Sequence, residues 1–182
     1  MTRAELEHVV RAAADAVRED EFVIVGSQAV LGQFPHAPGE LLRSMEADIY
    51  PAADPDKAEA IDRAIGEGSP FHDTFGYYAN GVAPETAKAP AGWQSRLIGV
   101  AVERPSTGPQ AIARCLEIHD LVLSKCVRGE ARDYEFTEVA LREGLTEADV
   151  LLSRISDLPV AQRERARVQK TVRGIVSKLD GA

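Results

Sequence analysis

The apolar residues near the start of the chain recur at the spacing of an α-helix. The segment Thr2-Arg3-Ala4-Glu5 has the pattern of a capping box, in which the threonine and glutamate side chains satisfy backbone N–H groups at a helix start. The apolar face that follows consists of Leu6, Val9, Val10, Ala13 and Val17. This pattern predicts a helix over about residues 3–19.

Four consecutive apolar residues, Phe22 to Val25, then interrupt the helical pattern. Such a run, mostly β-branched, is typical of a strand buried on both faces. Gly26-Ser27 ends the strand, a short helix is predicted over 28–34, and Met45 to Tyr50 is predicted to form the next strand.

The middle of the chain alternates between short elements. Asp54-Pro55 has the pattern of a helix start, and the apolar face of that helix runs to Gly66. The predictions for the rest are a loop at 67–76, a strand at Tyr77-Tyr78, a loop over 81–92, a strand over 96–103 and a short strand over 111–116.

The last third of the chain is predicted to be entirely helical. The helices cover 118–128, 131–142, a segment capped by Thr146 and running to about 155, and 160 to about 178. The predicted fold is therefore α/β (α+β), with a small mixed β-sheet packed by helices and a C-terminal helical part. We expect a core over 1–116 and a helical part over 117–182 that packs on it as one domain.

Composition places the chain among ordinary globular proteins. It has 182 residues, of which 45% are hydrophobic and 27% charged. Its apolar runs are too short to cross a bilayer, so we expect no membrane association. The two cysteines, Cys115 and Cys126, are too few for a disulfide framework and have no metal-binding spacing. We therefore expect a cytoplasmic protein.

The net charge of the chain limits the kinds of ligand that it can bind. The formal net charge of −8 argues against a protein that coats nucleic acid, because such binding depends on neutralising many phosphates. The positive residues nevertheless gather at 125–132 and 163–178. A local basic pocket for one nucleotide remains compatible with this distribution.

Candidate chemistry is found first in two acidic residues, Glu46 and Asp48. On a strand, positions i and i+2 face the same side, so both carboxylates can converge on one ion. Carboxylate pairs of this kind hold Mg²⁺ and leave positions open for substrate phosphates. The alternative is an edge strand with an exposed acidic face.

Gly26-Ser27 lies between a buried strand and the start of a helix. Backbone N–H groups at such a position favour a bound anion, and the alternative is that the pair forms only a turn.

The order of these features resembles the DNA polymerase β-like nucleotidyltransferases over about residues 20–105. A buried strand, Gly-Ser, a helix and a strand with two spaced acidic residues follow one another in both. The resemblance implies that Gly26 and Ser27 contact the nucleotide phosphates and that Glu46, Asp48 and Glu103 bind catalytic Mg²⁺ or Mn²⁺ ions. Two features depart from the family: Glu46 replaces the usual aspartate, and the segment between Ser27 and Glu46 is longer.

Two later segments, 81–97 and 120–136, resemble bacterial AbiEii-type proteins of type IV toxin–antitoxin systems. In these, a helix that begins with aspartate carries a lysine and then a basic-Asp pair. The matching positions are Asp120, Lys125, Arg132 and Asp133. The spacing of Lys125, Arg128 and Arg132 also allows three cations on one helical face, which would bind a triphosphate, with Lys125 offsetting charge on the transferred phosphate. The alternative is a solvated basic face paired with Glu130 and Asp133.

Together these patterns predict a metal-dependent nucleotidyltransferase that moves a nucleoside monophosphate from a nucleoside triphosphate to an acceptor. The acceptor is tRNA, a protein or a small molecule. One alternative is a toxin-like component with an antitoxin partner. Another is a non-catalytic nucleotide-binding or scaffold member of the same fold.

Overall fold

A computed structural model describes residues 1–104 and 109–181 of the chain. Within this part, a five-stranded mixed sheet and eight α-helices confirm the predicted fold class. The strands are β1 (Glu21–Ile24), β2 (Glu46–Pro51), β3 (Tyr78–Gly81), β4 (Ile98–Val102) and β5 (Ala111–Cys115). The helices are α1 (Arg3–Val17), α2 (Val30–Gln33), α3 (Ala58–Ile65), α4 (Pro70–Phe75), α5 (Ile118–Arg128), α6 (Ala131–Arg142), α7 (Ala148–Arg154) and α8 (Gln162–Asp180).

The described residues form two compact units. The first combines Met1–Thr86 with Leu97–Glu117 and contains the whole sheet. The second combines Ala87–Arg96 with the chain from Ile118 onward and contains α5 to α8. The ten-residue segment 87–96 thus belongs with the helices that follow it much later in the sequence.

The sheet has the strand order β3-β2-β1-β5-β4. β1 lies at its centre, antiparallel to β2 and parallel to β5. At the two edges, β3 is parallel to β2 and β4 is antiparallel to β5. Phe22 and Ile24 are fully buried, as the apolar run of β1 predicts, and Ile49 of β2 is fully buried as well.

The helix before the sheet begins as its sequence predicts. Thr2 Oγ1 accepts a hydrogen bond from the Glu5 backbone, and the Glu5 carboxylate accepts one from the Thr2 backbone. The helix ends at Arg18, which adopts a left-handed conformation with φ of 58°. The predicted capping box is confirmed.

The predicted loop over 67–76 is wrong, because it contains α4. Ser69 accepts a hydrogen bond from the His72 backbone, Pro70 occupies the first helical position, and Gly76 ends the helix with φ of 76°. These are ordinary start and stop signals. The helix was missed because it is only six residues long and none of its side chains is fully buried.

The predicted cap of the third C-terminal helix is also wrong. Glu147, not Thr146, precedes the first turn of α7. The Glu147 backbone N–H donates to His119 Nε2 at 3.1 Å. In the part of the chain that the structure describes, the buried Thr146 hydroxyl has no hydrogen-bond partner. Among these residues, too, no helix has the length and apolar character required to cross a membrane.

Candidate functional site

The first unit brings Gly26 and Ser27 beside the start of β2. The Val25 backbone N–H, directly after β1, donates to the Asp48 carbonyl at 3.1 Å. Because β1 and β2 are antiparallel, the end of β1 meets the beginning of β2 at the same edge of the sheet. The strand pairing therefore places the Gly-Ser turn next to both predicted carboxylates.

Gly26 leaves space that the Asp48 side chain occupies. A Cβ atom built on it would lie 1.9 Å from Asp48 Oδ2 and 2.7 Å from the Asp48 carboxyl carbon. The Gly26 backbone, with φ of −82°, is one that any residue adopts, so conformational freedom is not the reason for glycine here. The absent side chain makes room for the Asp48 carboxylate.

Glu46 and Asp48 project from the same face of β2. Both are half-buried, whereas Ala47 between them and Ile49 after them are fully buried. This alternation follows from the two-residue period of a strand. It puts both carboxylates on one side and the apolar residues in the core, as predicted.

Each carboxylate accepts a hydrogen bond from the neighbouring edge strand. Tyr78 Oη donates to Glu46 Oε2 at 3.2 Å, and Asn80 Nδ2 donates to Asp48 Oδ1 at 2.8 Å. The parallel register places Tyr78 opposite Glu46 and Asn80 opposite Asp48. Sequence reasoning missed both donors. The alternation of polar residues along β3 was their only signal, and it becomes informative only once the register is known.

The environment keeps Tyr78 in its donor form. Burial raises the pKa of Tyr78 to about 12, and the negative charges of Glu46 and Glu67 act in the same direction. A phenol with this pKa stays protonated throughout the neutral range. Tyr78 therefore keeps its hydrogen and donates it to Glu46 throughout the neutral range.

The helix predicted over 28–34 is present, but its first part is a 3₁₀ turn. A 3₁₀ turn covers Ser27–Ala29, and α2 adds one turn. Gln28 is fully buried there, and its Nε2 donates to the Ser44 carbonyl at 2.8 Å. This bond ties the turn to the residues that lead into β2.

Glu103, the predicted third carboxylate, is not brought to this edge of the sheet. Strand pairing aligns Val102 with Ala111 and, across β5, places the end of β4 beside the beginning of β1. The next residue, Arg104, pairs there with Asp20 at 2.6 Å. Gly26 follows the other end of β1. Glu103 and the Glu46–Asp48 pair therefore lie at opposite ends of the strands.

A different acidic residue, Glu117, lies at the edge of the sheet where Gly26 follows β1. The Leu116 backbone N–H donates to the Ile24 carbonyl at 2.9 Å, and Glu117 comes next, with only 9% of its surface exposed. The short strand predicted over 111–116 was the signal that could have pointed to it. Because β5 is parallel to β1, the two strands end at the same edge of the sheet, which is the edge where Gly26 lies.

The donor set at this edge suits a magnesium ion. Mg²⁺ prefers hard oxygen ligands and is commonly bound by one or two carboxylates together with substrate phosphates. Glu46 and Asp48 supply two such groups, and the space at Gly26 accommodates one of them. Among the described residues, no group of three or more His, Cys, Asp or Glu side chains is arranged to hold a metal. A metal here would therefore be held by this pair of carboxylates, and substrate phosphates would complete its coordination.

The predicted phosphate-binding cations belong to the second unit, and they do not share one helical face. α5 ends at Arg128, Gly129 adopts φ of 76°, and Arg132 lies on α6. Lys125 is 8% exposed and lies 3.6 Å from Asp133 and 4.6 Å from the Phe136 ring centre. Arg128 donates twice to Asp133.

The remaining cation, Arg132, has a different environment. It is 66% exposed and donates to Glu130 at 2.8 Å. The ion pairs of these cations with Glu130 and Asp133 agree with the alternative reading of the segment.

Asp120, the other acidic residue of the second resemblance, is fully buried in the second unit. Arg96 donates to its Oδ2 at 2.7 Å, and Arg154 donates to its Oδ1 at 3.0 Å. Arg96 also donates to the carbonyls of Pro90 and Ala91. These bonds attach the segment 87–96 to α5 and α7, so Asp120 has a structural role.

Comparison with known proteins supports the nucleotidyltransferase assignment. The model of one protein family, described as "Nucleotidyltransferase of unknown function (DUF6036)", matches residues 4–174. No curated protein and no solved structure matches the chain. The matched region contains the whole sheet, the Gly26-Ser27 turn and the two carboxylates of β2. The chain belongs to this family of nucleotidyltransferases.

Proposed function

We propose that the protein transfers a nucleoside monophosphate from a nucleoside triphosphate to an acceptor hydroxyl, with Mg²⁺ or Mn²⁺ held by Glu46 and Asp48. One observation carries the proposal: both carboxylates face the same side of β2, next to the turn in which Gly26 makes room for Asp48. Family membership supports the class of reaction. The chemistry of the donor set supports the metal.

In the proposed reaction the acceptor oxygen forms a bond to the α-phosphorus, and the bond from this phosphorus to the leaving pyrophosphate breaks. A bound divalent ion would supply neutralisation of the phosphate charge and lower the pKa of the acceptor hydroxyl. Glu46 and Asp48 would hold it, and Gly26 and Ser27 would contact the phosphates. The acceptor proton leaves to solvent.

The proposal assigns no phosphate contact to Lys125 or Arg128. Their charges are offset by the fully buried Asp133, so releasing them to a nucleotide would leave that carboxylate without the cations that stabilise it. Arg132 is exposed and donates to Glu130, and its contact with a nucleotide stays a prediction from the sequence. No metal contact is proposed for Glu103, which follows β4 at the other end of the strands.

Substitution of Asp48 tests the proposal. Asp48→Asn should abolish metal-dependent nucleotide transfer, since an amide oxygen is a weaker ligand for Mg²⁺ and carries no charge. The matched control is Asp56→Asn, which makes the same change at an exposed position of the 3₁₀ turn Pro55–Lys57. Unchanged transfer by Asp48→Asn, with the fold intact by circular dichroism, would refute the assignment.

The acceptor is found by incubation of the full chain with each labelled nucleoside triphosphate and a cell extract. Label in tRNA or in a protein would be the result required of an AbiEii-like toxin, and growth arrest relieved by a partner protein would identify an antitoxin. Label in a small molecule would identify a low-molecular-weight acceptor. Calorimetry that detects neither Mg²⁺ nor nucleotide binding at millimolar ligand would instead favour a non-catalytic member of the fold.

A further inference from the structure

We propose that Tyr78 and Asn80 are positioning residues that fix the two carboxylates of β2, and that Tyr78 is the residue that accommodates glutamate at position 46. The inference rests on the proposed function, because the carboxylates are positioned for the metal assigned to them there. It goes further by giving β3 a role in the site.

The register of the two strands is the first support. β2 and β3 are parallel, with Glu46 opposite Tyr78 and Asp48 opposite Asn80. Residues two apart on a strand face the same side, so the two donors of β3 lie on the same face as the two acceptors of β2. Both pairs are hydrogen-bonded, at 3.2 Å and 2.8 Å. One register thus sets both contacts.

The lengths of the side chains match within each pair. Glutamate is one methylene longer than aspartate, and its carboxylate lies further from the strand with one more rotatable bond. The tyrosine hydroxyl is also far from its backbone, and it donates to Glu46 Oε2. Asparagine is short and meets the short aspartate at Oδ1. A tyrosine opposite an aspartate at position 46 would reach past the carboxylate.

The second oxygen of Asp48 is also constrained. Oδ2 occupies the space above Gly26, while Oδ1 accepts from Asn80. Asp48 is therefore restricted from two directions. Glu46 has no comparable space beside a glycine, and within the described residues it has no ion-pair partner. The hydrogen bond from Tyr78 is therefore its main restraint.

Tyr78 is itself held in place by α4. Its ring centre lies 4.6 Å from the ring centre of His72. Both the backbone and the side chain of His72 are hydrogen-bonded. Its backbone N–H donates to Ser69 Oγ, and its Nδ1 accepts from the Gly68 backbone N–H at 3.0 Å. A donor supported in this way can orient a flexible glutamate before the metal binds. Hydrogen-bonding partners of metal ligands commonly have this function.

The test measures Mn²⁺ binding to the full chain by calorimetry, in the absence of substrate. Tyr78→Phe should weaken Mn²⁺ binding by about 10-fold, as is typical for loss of a partner of a metal ligand, and Asn80→Ala should do the same. The matched control is Tyr77→Phe. Tyr77 is the adjacent tyrosine, but its hydroxyl bonds to His8 on α1, and its loss should leave Mn²⁺ affinity unchanged. Thermal unfolding establishes that each variant is folded.

A double-mutant cycle separates positioning from a general structural effect. In Glu46→Asp, the shorter side chain no longer reaches the tyrosine hydroxyl, so adding Tyr78→Phe should cause no further loss of affinity. Additive losses, or wild-type affinity in Tyr78→Phe alone, would overturn the positioning role while leaving the proposed function in place. Absence of Mn²⁺ binding in the wild-type protein would overturn the proposed function and, with it, this inference.

Discussion

The space that Gly26 leaves empty is filled by the carboxylate of Asp48. A Cβ on Gly26 would lie 1.9 Å from Asp48 Oδ2, closer than any two such atoms can approach. The obstructing atom belongs to the end of a side chain and not to the backbone. The fold can therefore tolerate a larger residue at position 26, but only if Asp48 moves.

Gly26→Ala should consequently remove activity without unfolding the protein. We expect loss of Mn²⁺ binding and of nucleotide transfer comparable with Asp48→Asn, together with a decrease in the free energy of unfolding of only about 1 kcal/mol. Calorimetry and urea unfolding measure the two effects. Gly39→Ala is the matched control, because a Cβ at Gly39 meets no atom within 4 Å. Full activity in Gly26→Ala would show that the position of Asp48 is not critical.

Asp133 should be far more important for stability than for chemistry. It is fully buried and pairs with Lys125, which is 8% exposed, and with Arg128. Asp133→Asn removes the negative charge that offsets both cations, and breaking a buried ion pair typically costs about 3–5 kcal/mol. Urea unfolding should show a loss of this size, whereas nucleotide affinity measured on the folded fraction should not change.

A surface pair of the same unit provides the comparison. Lys178 and Glu138 are 66% and 31% exposed, so Glu138→Gln should cost less than about 1 kcal/mol. Similar losses of stability in Asp133→Asn and Glu138→Gln would contradict the structural role of Asp133.

The pKa of Asp133 also has a predictable direction. Burial alone would raise this pKa, but the hydrogen bonds from Arg128 and the charge of Lys125 hold it below its ordinary value of 3.8. The stabilisation from the charged Asp133 is present above pH 3.8 and is lost as the pH falls through the lowered pKa.

The parts of the site that could be predicted from the sequence are those encoded locally. The apolar run of β1 and the two-residue spacing of Glu46 and Asp48 each define a strand and a face without reference to the rest of the chain. Tyr78 and Asn80 could not be identified in this way. Their contacts depend on the pairing of β2 with β3, which joins residues 32 positions apart.

Strand direction explains the difference between Glu103 and Glu117. Each acidic residue directly follows a strand-like segment, and local pattern cannot distinguish them. β4 and β5 are antiparallel, so the two strands end at opposite edges of the sheet. The arrangement of the cations in the second unit also depends on a feature that local spacing does not reveal, the backbone conformation of Gly129. The spacing of Lys125 and Arg132 suits a continuous helix, but the left-handed conformation of Gly129 divides it.

Arg96 should be the residue that attaches segment 87–96 to the helical unit. It donates two hydrogen bonds to the buried Asp120 and one to each of two carbonyls within its own segment. In Arg96→Gln we expect amide hydrogen exchange at Ala91 and Trp93 to increase by at least about 10-fold, because the segment opens locally. Mass spectrometry of the corresponding peptides measures this.

The control for this experiment is Arg132→Gln. Arg132 is 66% exposed and donates to a surface glutamate, so its loss should leave exchange in segment 87–96 unchanged. Protection in Arg96→Gln equal to that of the wild type would show that the segment is held by its other bonds. One of these is the hydrogen bond from the Ala91 backbone N–H to the Asp157 carbonyl, at 2.9 Å.

His8 should make the stability of the first unit depend on pH. Its Nδ1 lies 2.8 Å from Tyr77 Oη, and its ring contacts Phe71 and Phe75 at centre distances of 5.1 and 4.6 Å. Burial, and secondarily the charge of Arg11, lower the pKa of His8 below 6.5. The unfolded chain therefore binds the proton more tightly than the folded protein does.

The sign of the effect follows from this difference. The stabilisation is fully present above pH 6.5 and is lost as the pH falls from 6.5 through the lowered pKa of the folded state. Urea unfolding at pH 7.5 and at lower pH should show the decrease in wild type, and His8→Gln should remove this part of it. Tyr77→Phe keeps the imidazole and should retain the pH dependence, although it loses the hydrogen bond. If His8→Gln and wild type lost stability equally over this range, the titrating group would have to be another residue.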